Sequence, residues 1–378
     1  MQAFRDLFPQ NPEAFVTMVR PWDRSYEFGG RFYARPEHAP VAWVGDNRRD
    51  WVGLVDALDH MFRSAQAGYV IVGSDVGGYL DRNDRDFSQD VPFDTLVFAR
   101  WTAAAALTPF MQLHGRANIA PWTVPDHGDE TVALYRYWAT LHDELVPFFD
   151  SLAEQAYAGG ANLMRPVGND PAAWQDDWRW MLGDAFLVAP IVDAGGTRDV
   201  ALPAGSRWYD WWTPGGSALA GGQTLAGVAA TRQQIPLYVR EGAIVPLEVT
   251  NDATGLGTTA SVGASTVLIW PASETTSFTV RDDDGGQTRI TAARDPGGAW
   301  IELSRTPRPV VLRVRMDAAP VAVTRNGAPV SAAADRAAVL ASGGDAWAYD
   351  VAERMLWVRG AAGAGSTVMT ATNNTSPP

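Results

Sequence analysis

Trp43-Val-Gly-Asp46-Asn47 and, one helical stretch later, Tyr69-Val-Ile-Val-Gly-Ser-Asp75-Val-Gly-Gly78 are the segments on which the fold turns. Each has a short apolar run that reads as a buried strand, a glycine near its end, and an aspartate close behind. Between them, Val52, Val55, Leu58, Met61 and Phe62 fall at helical spacing over Trp51 to Ala67, and Gly68 is a natural stop. Strand, carboxylate, helix, strand, carboxylate is the pattern of a βαβ unit, whose functional edge is the C-terminal end of its strands.

The same grammar extends both ways. Upstream, Ala14 to Val19 reads as a strand ending in Arg20-Pro-Trp-Asp, residues 21–38 as a long loop, and Ala39 to Gly45 as the next strand. Downstream, residues 80–92 form a polar loop, Pro92 opens a helix running to about Ala106, and Leu107 to Leu113 is a strand ending at His114-Gly-Arg116. A long amphipathic helix from about Asp129 to Ala158 is expected to kink at Pro147. After about Gly183, turns arrive every few residues and the sequence is all-β.

The expected domains are therefore 1–182 as an α/β unit, 183–250 as one β-sandwich and 261–371 as a second. Residues 249–262, rich in Thr, Gly and Ala, read as a linker, and 372–378 as a disordered tail. Four strand–helix units precede the β region, whereas a closed βα barrel needs eight. Either the sheet is open, or half of a barrel is absent from this chain.

Composition excludes several classes. A net charge of −13 with no basic stripe argues against nucleic acid. No apolar run is long enough to span a bilayer, and Met1-Gln-Ala-Phe-Arg-Asp lacks the pattern of a leader peptide. With no cysteine there are no disulfides, thiolate metal sites or cysteine nucleophiles. His114 has no second histidine at ligand spacing. The aspartate-rich loop Asp81 to Asp86 lacks the glycine and terminal glutamate of a calcium loop. No metal or cofactor is expected. Sixteen tryptophans are many; most are expected to be core, although aromatic faces also suit sugar rings. Compartment and oligomeric state stay open.

Beyond these patterns, Trp43-x-Gly-Asp46-Asn47, Gly73-Ser-Asp75-Val-Gly-Gly78-Tyr79, Arg100-Trp101 and Pro109-Phe-Met-Gln-Leu-His114-Gly resemble glycoside hydrolase family 31. The similarity continues through Met181-Leu-Gly-Asp184 to Pro190, Trp208-Tyr-Asp-Trp-Trp212, Ile235 to Pro246 and Arg281-Asp-Asp-Asp284-Gly-Gly, in the family's order. The resemblance implies α/β plus all-β architecture: strands five to eight of a (β/α)₈ barrel, followed by proximal and distal β-sandwich domains. It implies an O-glycosyl hydrolase acting on oligosaccharides or α-glycosides by double displacement. The family's nucleophile belongs to strand four, which is expected to precede Met1. The chain alone is then expected to be inactive. Two rivals stand beside this: a non-catalytic carbohydrate-binding remnant, and an α-transglycosylase.

Retaining glycosidases use two carboxylates about 5–5.5 Å apart. From spacing alone Asp46 is either a reacting carboxylate or a cap for the helix starting near Asn47. The resemblance assigns it the general acid/base role, which calls for a raised pKa, and Trp43 is the neighbour expected to desolvate it. Asp75 is either a supporting or sugar-side carboxylate, or a turn aspartate before Gly77-Gly78. The resemblance makes His114 a sugar-hydroxyl ligand. For the family's sugar-binding arginine, Arg31 in Gly30-Arg-Phe-Tyr is the first choice and Arg20 the rival. Trp101 is expected to be packing.

Overall fold

The computed structural model describes residues 18–23, 31–32, 34–37, 39–83, 87–116, 119–168, 170–363 and 365–373. The elements of the first region are strand β1 (Met18–Val19), a small hairpin β2 (Trp22–Asp23) and β3 (Arg31–Phe32), strand β4 (Val41–Trp43), helix α1 (Trp51–Gln66) and strand β5 (Ile71–Asp75). Helix α2 (Thr95–Ala105), strand β6 (Phe110–Gln112) and helices α3 (Gly128–Glu144) and α4 (Val146–Tyr157) follow. Residues 14–17 of the expected first strand lie outside the described residues.

Strands β1, β4, β5 and β6 form a four-stranded sheet in that order, and every neighbouring pair is parallel. Spatial order follows chain order without reversal, as in one wall of a barrel; a doubly wound sheet reverses at a switch point. The two faces are unlike. Ser74 meets helix α2, where it accepts a hydrogen bond from Trp101 Nε1 (2.9 Å). By strand alternation Trp43, Asp75 and Gln112 then share the face turned away from that helix.

Local chemistry explains the helix ends. Asp50 caps α1, its Oδ1 accepting from Gly53 N (3.0 Å), and Asp94 caps α2 through Leu96 N (2.8 Å). The expected single helix over 129–158 is two helices broken at Leu145, with Pro147 in the first turn of the second. Proline has no N–H to give to the preceding turn, so the ladder ends there and restarts.

The pairing moves both expected domain boundaries. Met164–Pro166 and Trp180–Leu182, expected in the α/β unit, instead pair antiparallel with each other and with Phe186–Val188 in a six-stranded sheet. Ile244–Leu247, expected in the first β region, pairs with Ser265–Ile269 in the next six-stranded sheet. That sheet faces another six-stranded sheet containing Thr276–Arg281, Gln287–Asp295 and Gly298–Leu303. Nor do residues 249–262 behave as a solvated linker. Val249 and Leu256 are buried, and Thr254 bonds to Glu144 of α3 (2.7 Å). The final strand runs to Thr372, and 374–378 lie outside the described residues.

One apolar core runs from Ala42 through α1–α4 into the β sheets, and a second fills the distal sheet pair. Eight of the sixteen tryptophans are buried, and Trp101, Trp138, Trp174, Trp180, Trp208 and Trp357 fully so. Arg100 on α2 is buried too and staples the first region to the β region. Its guanidinium donates to the carbonyls of Thr231 (2.7 Å), Gln234 (2.9 Å) and Ala230 (2.8 Å). Among the described residues no helix is long and apolar enough to cross a membrane.

Candidate active site

The C-terminal edge of the parallel sheet gathers the polar residues. Strand β4 ends at Trp43; Val44 N still donates to Gly73 O (3.0 Å), and the chain then turns through Gly45. Gly45 has φ +91°, and a Cβ there would sit 2.4 Å from Arg20 Cδ. Glycine is required on both counts. Arg20 therefore lies across the backbone one residue before Asp46. Asp46 itself is half-buried in a segment fastened to the next loop, where Asn47 O accepts from Tyr79 N and Leu80 N (both 2.9 Å). The alternative in which Asp46 caps the helix does not hold, because Asp50 fills that position.

Asp75 is the buried carboxylate of the site, fully shielded from solvent. Its Oδ1 accepts from Trp43 Nε1 (2.8 Å) and Gln112 Nε2 (2.6 Å). The sheet register explains this: Asp75 and Gln112 are direct cross-strand partners, and Trp43 pairs with Gly73 two residues earlier on the same face. Oδ2 has no partner among the described residues. Burial pushes the Asp75 carboxyl up to about 6; the Gln112 and Trp43 hydrogen bonds and the His114 charge pull it down, and the Asp46 charge pushes it up. Asp46 and His114 thus both lie within electrostatic reach of Asp75. The turn beyond it is tight: Gly78 N donates to Asp75 O (3.0 Å), and Gly77 and Gly78 have φ +80° and +81°.

His114 is exposed beyond the end of β6, with its ring 4.9 Å from that of Tyr79. So the structure brings Trp43, Asp46, Asp75 and His114 together, with Arg20 alongside. Arg31 forms the β2–β3 hairpin opposite Asp23, but its side chain lies outside what is described. Trp101 is packing. Gln112 is the residue that sequence reasoning missed. Strand alternation puts it on the same face as His114, which was the available signal. Among the described residues no His, Asp and Glu side chains cluster as a metal site, and Asp84 to Asp86 lie outside them.

A chain-ordered parallel sheet with carboxylates, an indole and an imidazole at its C-terminal edge is the arrangement of an α/β enzyme site. Comparison with known proteins agrees. The family model described as "Glycosyl hydrolases family 31 TIM-barrel domain" matches residues 14–152, and "Glycosyl hydrolase family 31 C-terminal domain" matches 160–245. The chain belongs to glycoside hydrolase family 31. It is 30% identical over 386 residues to a 1,6-alpha-glucosyltransferase of Sporosarcina globispora, covering 91% of this chain and 29% of the relative. A 1,3-alpha-isomaltosidase of Kribbella flavida is 31% identical over 63% of this chain and 32% of its own length. The fold matches a cycloalternan-forming enzyme from Listeria monocytogenes solved with a pentasaccharide substrate, with a TM-score of 0.76 at 23% identity over 88% of this chain and 32% of that one. The chain therefore spans about three-tenths of the length of the curated relatives it matches.

Proposed function

We propose that this chain carries the acid/base side of a retaining α-glycoside-cleaving site. Strands β1, β4, β5 and β6 would be strands five to eight of a (β/α)₈ barrel, with a proximal and a distal β-sandwich domain behind them. The observation that carries this reading is Asp46 just past a parallel strand, beside a buried Asp75 held by Trp43 and Gln112. Asp46 protonates the leaving glycosidic oxygen, then takes a proton from the water that releases the sugar. Asp75 touches no substrate. It is a positioning residue that fixes the Trp43 indole as a wall of the sugar site. His114 and Arg20, or Arg31, contribute hydroxyl contacts.

The attacking carboxylate is a separate group. Asp75 is unsuited to that part, since its exposed access is nil and its Oδ1 is engaged twice. The nucleophile is assigned to a polypeptide segment beyond the described residues. The 378 residues alone are then expected not to turn over an aryl α-glucoside or α-xyloside. In the enzyme assembled with its nucleophile-bearing segment, Asp46→Ala is expected to lose about 10²–10⁴-fold on poor leaving groups and to be partly rescued by azide. Wild-type rates in that variant, or clear turnover by the 378 residues alone, would overturn the assignment.

A second reading, transfer of the glycosyl unit to a sugar acceptor, is favoured by the relative named as a 1,6-alpha-glucosyltransferase. Product analysis with added isomaltose separates the two: elongated sugars mark transfer, free monosaccharide marks hydrolysis.

A further inference from the structure

The distal sheet that contains Gly298–Leu303 buries one face and turns the other to solvent. Along that strand Ala299, Ile301 and Leu303 are buried in the core, so alternation turns Gly298, Trp300 and Glu302 outward. The register fixes what surrounds them. Trp300 stands between Ala293 on one neighbouring strand and Thr370 on the other, and Gly298 stands between Asp295 and Thr372. Residues too small to cover an indole therefore flank Trp300 on three sides. Gly298 has to be a glycine: its φ is +148°, and a Cβ there would sit 1.8 Å from Ala371 O. The absent side chain leaves a notch beside the indole.

Trp300, Asp295, Thr370 and Thr372 line the resulting groove, whose volume is about 500 Å³, within the roughly 300–1,000 Å³ of small-molecule sites. Their polar groups are largely unspent. Among the described residues the Trp300 N–H and the Thr370 hydroxyl have no hydrogen-bond partner. Asp295 uses Oδ1 to accept from Gly297 N (2.7 Å) and keeps Oδ2 free. The groove thus offers a group that only donates, one that only accepts and hydroxyls that do either. A neutral polyol can use all of them. An anion meets the Asp295 charge, and the one guanidinium in the lining, Arg294, is already held by Glu241 (2.6 Å). A cation leaves the indole N–H unused, and Trp300 is the one aromatic ring among the described lining residues, too few to enclose an ammonium group.

We infer that this outer face of the distal sheet is a carbohydrate-binding surface, taking one pyranose unit of a neutral glucan with its C–H face on the Trp300 indole and its hydroxyls toward Asp295, Thr370 and Thr372. A flat apolar ring face bordered by hydrogen-bonding groups matches an indole set among small polar side chains. The choice of a sugar among neutral polyols rests on the proposed function. One unit held here keeps the rest of its chain at raised local concentration around the protein.

The test is calorimetric titration of the full chain with isomaltotriose, run on the wild type, Trp300→Ala, Trp300→Phe and Trp43→Ala, with thermal unfolding as the check on each fold. Thr370→Arg, which lays a long side chain beside the indole, is the second probe of the groove. The expected result is binding that weakens about tenfold or more in Trp300→Ala and in Thr370→Arg, is largely kept in Trp300→Phe, and persists in Trp43→Ala. Unchanged binding in both Trp300→Ala and Thr370→Arg overturns the inference, as does binding of choline in place of isomaltotriose, or no binding by the folded wild type. Loss confined to Trp43→Ala overturns this surface while supporting the site at Asp46; failure of the Asp46 assignment leaves the Trp300 result as it stands.

Discussion

Glu144 closes helix α3 with its side chain buried at 1% exposure, where the first region meets the distal sheets. Thr254 Oγ1 donates to its Oε2 (2.7 Å), and its Oε1 has no partner among the described residues. Burial pushes this carboxyl from 4.5 up to about 7; the Thr254 hydroxyl and the Arg313 charge oppose the shift. The folded chain therefore keeps a proton that the unfolded chain releases. Stability tied to that proton is complete below the unfolded value and is lost as pH rises through about 7. From about pH 5 to about pH 8 the loss amounts to about 2.5 kcal/mol. Glu144→Gln keeps the shape and removes the titration. Urea unfolding of both proteins at several pH values isolates the effect, because every other titrating group, including Asp75, cancels in the difference. The variant is expected to gain about 2.5 kcal/mol on the wild type across that range. A difference that stays constant with pH would mean that the carboxylate is charged in the fold and paired with Arg313, and would refute the reasoning.

Two further substitutions probe how the site is held. Arg100→Met removes donors from three carbonyls of the 230–234 loop and is expected to cost about 3 kcal/mol or more in urea unfolding; a cost below about 1 kcal/mol would rule out the staple. Gly45→Ala forces a side chain onto φ +91° and into Arg20, and is expected to cost about 1–3 kcal/mol by thermal unfolding and to weaken sugar binding at the Asp46 edge; an unchanged melting temperature would show that the turn relaxes freely.

What was legible in the sequence was local. The spacing of Val55, Leu58 and Phe62 marks helix α1 because a helical period of apolar residues has one outcome when a sheet lies beside it. The two strands were readable as short apolar runs over Ala39 to Gly45 and Tyr69 to Gly73, although their ends fall at Trp43 and Asp75, and with them came the nearness of Asp46, Asp75 and His114 to one edge. The domain boundaries were not. Met164–Pro166 and Trp180–Leu182 are three-residue strands whose only assignment comes from pairing with each other and with Phe186–Val188, and no period survives in so short a run. The segment 249–262 misled through composition. Its residues are small and polar, but Thr254 and Ser261 are spent on internal hydrogen bonds, so polarity did not mean exposure.

Gln112 makes the same point at the site itself. A lone glutamine on a strand carries no mark of function, and its partner lies 37 residues away. Only the parallel register brings the two opposite each other. Once there, it changes the part Asp75 can play. With one oxygen held by an amide and an indole, and with no access to solvent, the carboxylate suits the positioning part proposed for it, and proton transfer is the part proposed for Asp46. Two aspartates that look equivalent in the sequence differ in the sheet: Asp75 ends strand β5 with Gln112 as its cross-strand partner, whereas Asp46 lies beyond the end of β4.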